Sequence, residues 1–204
     1  MTALSSRLPH ASSFRKYAVY VLITAFGYLG QVCVMPYIKI FDVTPNLLFA
    51  LIGIVTVAYG KLRTFWLGLL YGLLMEIMVP SVPILNLATY SLSALFCSFA
   101  FSDKPLKTLE YERATRNERK ELQPWLRTLL CTLLNVLIYE VIHITYIYLD
   151  GFSITFTHIL RGLADIALTG VLCLGLMFPI RRAIFGPKSR ARRLQSAPVV
   201  FTRN

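Results

Sequence analysis

Four residues stand out because their chemistry is costly inside an apolar chain. Glu76 interrupts the run "GKLRTFWLGLLYGLLMEIMVP", Glu140 and His143 sit within "LLNVLIYEVIHITYIY", and Asp165 follows Arg161 in "ILRGLADIAL". Ionisable groups in such settings mark functional sites by default, and each needs a partner. Glu140-x-x-His143 has the spacing of one half of a di-iron bundle site, but that chemistry needs two such pairs and two further glutamates, and one copy is present. The four cysteines, Cys33, Cys97, Cys131 and Cys173, form no C-x-x-C pair. They read as reduced thiols packed as small apolar residues. H-E-x-x-H, G-x-S-x-G, P-loop and dinucleotide fingerprints are all missing from the sequence. The expectation is a protein that is no enzyme and uses neither metal nor cofactor.

The elements that carry these residues are apolar helices. The chain has 204 residues, 56% of them hydrophobic, with a mean hydropathy of +0.60. Apolar runs of membrane-spanning length recur, and the polar stretches between them are too short to bury a core. The patterning predicts an all-α, polytopic membrane protein with six transmembrane helices at about 17–40, 45–60, 64–80, 82–101, 125–149 and 159–181. Residues 1–16 form a cytoplasmic leader, 17–181 the helical domain and 182–204 a basic cytoplasmic tail. The leader has no compact apolar region ending at a small-x-small site, so it does not read as a cleaved signal.

Charge sets the orientation. With the N-terminus inside, only Lys39 and Arg161 of the 21 lysines and arginines fall on the outer side, which predicts that both termini are cytoplasmic. The net charge of +11 is then a topology signal, with no nucleic acid implied. The tail cations Arg181, Arg182, Lys188, Arg190, Arg192 and Arg193 either contact anionic lipid head groups or simply fix orientation. The loop 102–124 mixes six cations with five carboxylates and reads as a solvated cytoplasmic helix, with Glu112 and Arg116 at i,i+4.

Helical periodicity turns the polar residues toward one another. Gly68, Gly72 and Glu76 recur at four-residue spacing, and such small residues let a neighbouring helix approach closely. Similar stripes run through Thr24, Tyr28 and Gln31, through Asn86, Tyr90 and Ser93, through Asn135, Tyr139 and His143, and through Arg161, Asp165 and Thr169. In the predicted orientation Gln31, Glu76, Asn86, Glu140, His143, Arg161 and Asp165 all fall in the outer half of the bundle. Two readings follow: a polar groove open to the outer face, or polar groups that only satisfy one another. Arg161 and Asp165 are spaced for an ion pair on one helix, and Glu76 is either uncharged or bonded to His143 or Arg161.

The segment "TPNLLFALIGIVTVAYGKLRTFWLGLLYGLLMEIM" and the following "PILNLATYSLSAL" resemble the MreD family of bacterial rod shape-determining membrane proteins. The resemblance is carried by Pro45, Gly60, Gly68, Gly72, Leu73, Glu76, Leu85 and Asn86, with Ala88 as an approximate match. Asn46 and Glu76 stand where the family usually has aspartate, and the glycine common near position 84 is missing. The resemblance implies a six-helix fold similar to the substrate-binding subunits of energy-coupling-factor transporters. It further implies a non-enzymatic scaffold in the bacterial cytoplasmic membrane that binds MreC. MreB, the RodA glycosyltransferase and a class B penicillin-binding transpeptidase would be indirect partners in lateral peptidoglycan synthesis. A vitamin-binding transporter subunit is the alternative.

Overall fold

A computed structural model describes residues 13–40, 43–78, 82–101, 122–151 and 155–185. Six α-helices lie among the described residues: α1 Ser13–Leu29, α2 Leu47–Tyr59, α3 Lys61–Met78, α4 Leu85–Phe101, α5 Pro124–Leu149 and α6 Phe156–Phe185. The expected helix positions and the observed ones agree to within a few residues. At its C-terminal end α1 changes winding, passing into a π-helical turn at Gly30–Val34 and a 3-10 turn at Met35–Tyr37. Among the described residues, three helical segments are long and apolar enough to cross a membrane: Lys16–Tyr37, Pro124–Leu149 and Phe156–Ile184.

α2 is different. Its 13 residues span roughly 20 Å at about 1.5 Å per residue, short of a hydrocarbon core of about 30 Å. Every residue from Leu47 to Val57 is buried, as expected of a helix that is apolar on all sides. α2 is therefore a central post. Leu48, Phe49, Ile52 and Val55 form a core with Leu67 and Tyr71 of α3, Tyr90 and Ala94 of α4, Val136 of α5 and Met177 of α6. The outward faces of α1, α5 and α6 expose Val21, Phe26, Leu137, Val141, Leu163, Val171 and Phe178, side chains that hydrocarbon can solvate.

The α2–α3 corner is sharp. Gly60 adopts φ 85° with no neighbour within 4 Å of the position a Cβ would take, so the backbone conformation, and not lack of space, favours glycine. On the next helix, space decides. A Cβ on Gly68 would lie 2.5 Å from Ala94 Cβ and 2.8 Å from the Tyr90 carbonyl oxygen. One on Gly72 would lie 2.9 Å from Leu87 Cα. The two glycines thus let α3 lie directly against the backbone of α4.

Several buried threonine hydroxyls are satisfied within their own helices. Thr56 donates to the Ile52 carbonyl, Thr128 to Pro124 and Thr132 to Thr128, the usual solution where water is scarce. At the opposite end of the bundle from the α2 N-terminus, Arg63 of α3 lies over the rings of Tyr17 and Tyr59, and Tyr20 donates to its carbonyl. Cys97, Cys131 and Cys173 are buried, as expected of packed thiols, whereas Cys33 in the π turn is exposed, because that turn lies on the rim of the bundle.

Candidate functional site

The site begins with the N-terminus of α2. A helix starting inside a bundle leaves backbone N–H groups that water cannot reach. Here side chains from two other elements, together with the helix's own N-cap, help to meet that need. Gln31, in the π turn after α1, accepts the Leu47 N–H through Oε1 at 2.7 Å. Asn46 accepts the Phe49 N–H through its own Oδ1 and donates from Nδ2 to the Tyr90 hydroxyl at 3.0 Å. The Asn46 N–H donates to Thr169 Oγ1 at 2.9 Å, and Thr169 in turn donates to Asp165 Oδ1 at 3.0 Å. These groups are deeply buried: Asn46 is 8% exposed, Tyr90 2% and Asp165 7%.

Above this network lies a cavity of about 390 Å³. Its walls carry Gln31 from the π turn after α1, Asn46 before α2, Tyr139, Glu140 and His143 from α5, and His158, Arg161 and Asp165 from the first turns of α6. The Glu140 carboxyl faces Asp165 within hydrogen-bonding reach. Glu140 fits because residue 162 is glycine: a Cβ there would come 3.0 Å from Glu140 Oε2. Aromatic rings line the wall in sequence. Phe49 stacks on Tyr90 at 4.4 Å between centroids, Tyr139 leans on both, and His143 stacks on Tyr139 at 5.9 Å.

Five of the seven groove residues expected from sequence, Gln31, Glu140, His143, Arg161 and Asp165, therefore meet in one cavity. Asn86 lines a smaller neighbouring space of about 160 Å³, which shares Met75, Tyr139 and His143 with the first. Glu76 lines neither. Its carboxylate accepts the backbone N–H groups of Ile84 at 2.8 Å, Asn86 at 3.0 Å and Leu87 at 3.4 Å. Glu76 thus caps the N-terminus of α4 from the preceding helix, where negative charge also opposes the helix dipole. It does not bond His143 or Arg161 in this arrangement, because the tight return after α3 brings open amides to it first. Ile84, in the turn that Glu76 grips, adopts φ 71°, a left-handed conformation that is strained for a β-branched residue.

Asp165, one turn after Arg161, meets the Thr169 hydroxyl one turn further along α6 and the Glu140 carboxyl on α5. Sequence reasoning also missed Asn46, His158 and Gly162 as site residues. Asn46 was legible as a helix N-cap type before an apolar run. Gly162, a small residue beside Arg161, carried no comparable signal. Among the described residues no group of three or more His, Cys, Asp or Glu side chains is arranged to hold a metal ion.

Arg181 and Arg182 lie in the last turns of α6, where cations complement the helix dipole. Lys188, Arg190, Arg192 and Arg193, the leader up to residue 12 and most of the charged loop 102–124 lie outside the described residues. Comparison with protein-family models, curated proteins and solved structures found no match to this chain.

Proposed function

We propose that this chain is a non-catalytic, multi-pass scaffold of the bacterial cell-elongation complex, of the MreD kind. It lies in the cytoplasmic membrane with both termini inside and binds an MreC-like partner on its outer half. MreB, the RodA glycosyltransferase and a class B penicillin-binding transpeptidase are indirect partners, and the basic tail contacts anionic lipids. The observation that carries this reading is the α3–α4 hairpin. Gly68 and Gly72 lie against α4, and Glu76 holds the N–H of Asn86. Four residues that carry the family resemblance thus act together as one structural unit, which supports a shared architecture and not a chance match in composition. The cavity supports a binding role, since polar groups from several helices converge there.

The same cavity favours a second reading, the substrate-binding subunit of an energy-coupling-factor transporter. Its volume of about 390 Å³ lies within the range of small-ligand sites. Affinity purification of the tagged protein from its native membrane in mild detergent, followed by mass spectrometry, separates the two. An MreC-like protein is the expected companion. Recovery of ATPase and coupling subunits, or of a tightly held vitamin, would refute the scaffold reading.

A further inference from the structure

We infer that the cavity accepts a positively charged amino or guanidinium group, held by Glu140 against the Tyr139 ring with Asp165 behind. This deepens the reading of the cavity as a binding site and holds whichever protein the partner is.

Charge balance is the first argument. Facing carboxylates repel unless a proton or a cation lies between them. Asp165 already has stabilising neighbours: the Thr169 hydroxyl at 3.0 Å, the Asn46 N–H and the N-terminal end of α2, which favours negative charge. Glu140 has no such set. Its side-chain partner is the Asp165 carboxyl, through one hydrogen bond. Its Oε2 overhangs Gly162, half-buried on the cavity wall, with a free approach from the cavity side. A cation arriving there pairs with the open side of Glu140, the carboxyl that the Asp165 hydrogen bond leaves charged.

The wall supplies the second argument. Tyr90, Tyr139 and His143 line the same cavity as the two carboxyls, and aromatic faces attract ammonium and guanidinium groups. An anion has less to gain at the same depth. The N–H groups of Asn46, Leu47 and Phe49 are already taken by Thr169, Gln31 and Asn46 Oδ1. Arg161 and His158 line the same cavity nearer the start of α6 than Asp165, at least a turn away from the carboxyl behind the cationic head.

The cation could be a lysine or arginine side chain of a partner protein or a free small amine, and the test separates these sources. Purified full-length protein in mild detergent is heated with benzylamine or arginine methyl ester, and with benzyl alcohol and benzoate as neutral and anionic counterparts. For a free amine, the cationic probes raise the melting temperature in a saturable way and the other two do not. Glu140→Gln weakens that response about tenfold or more, and Tyr139→Leu, which leaves both carboxyls in place, weakens it as well. For a partner-borne cation, the free amines give no shift. Instead the protein that copurifies with wild type is depleted about tenfold or more from Glu140→Gln, and substituting one of its own lysines or arginines has the same effect. The inference is overturned if benzoate or benzyl alcohol binds as well as the amines. It is equally overturned if Glu140→Gln and Tyr139→Leu both retain the wild-type amine response and the wild-type companions. The scaffold reading fails on a different result, the identity of the companion.

Discussion

Replacing Glu76 should loosen the start of α4 and lower global stability, with no direct effect on the cavity. Its carboxylate accepts three backbone N–H groups, from Ile84, Asn86 and Leu87. The contact at 3.4 Å is too long to count for much, which leaves two strong charge-assisted bonds. The turn at Ile84 is exposed, so each is worth about 1 kcal/mol, the lower part of the usual range. Glu76→Ala then costs about 2 kcal/mol, the upper end of a lost N-cap. For a chain of this size that shift corresponds to about 4–8 °C in melting temperature. Glu76→Gln keeps one acceptor oxygen and should lose about half as much. Glu76→Asp is one methylene short and should behave more like alanine. Thermal unfolding in mild detergent gives the global number, and hydrogen exchange at residues 84–87 gives the local one. If Glu76→Ala melts within about 1 °C of wild type and those amides stay protected, the capping role is wrong. If it instead abolishes partner or amine binding with stability intact, Glu76 belongs to the binding site after all.

Ile84→Gly removes the strain at φ 71° and should raise stability by about 0.5–1 kcal/mol, read as a melting shift opposite in sign to that of Glu76→Ala. Gly72→Ala places a Cβ 2.9 Å from Leu87 Cα, which backbone cannot yield easily, and should cost about 1–3 kcal/mol by the same thermal assay. Thr169→Val leaves the buried Asn46 N–H and the Asp165 carboxyl without their hydroxyl partner. It should cost about 1–3 kcal/mol, while a surface control such as Val171→Ala, exposed on the same helix, stays close to wild type. Lys39→Cys, in the exposed stretch after α1, should react with a membrane-impermeant maleimide added to intact cells. Labelling only after the membrane is opened would reverse the proposed orientation.

The sequence alone determined the helices and much of their inward faces. Apolar runs specify where helices form, because backbone groups that leave water must bond within their own segment. Pro45 and Gly60 mark the limits of the second helix because proline and φ-positive glycine do not continue one. The four-residue recurrence of Gly68, Gly72 and Glu76 put them on one side of α3, and the structure sets the two glycines against α4. Polar stripes on separate helices indicated a common interior, and five of those residues line one cavity.

Tertiary structure decided which neighbour each polar group meets. Periodicity assigns a residue to a face, but bonding depends on distances of a few tenths of an ångström across helices. The turn after α3 brought amides to Glu76, so a residue that looked like part of a site became a cap. At Asp165 the bundle supplied the Thr169 hydroxyl and the Glu140 carboxyl as neighbours. The central place of α2 also needed three dimensions. Its apolar sequence suits lipid and protein equally, and only the packing of the other helices around it selects burial in protein. With its N-terminus set inside the bundle, α2 requires Gln31, Asn46 and Thr169 at its first amides, and that requirement shapes the floor of the cavity.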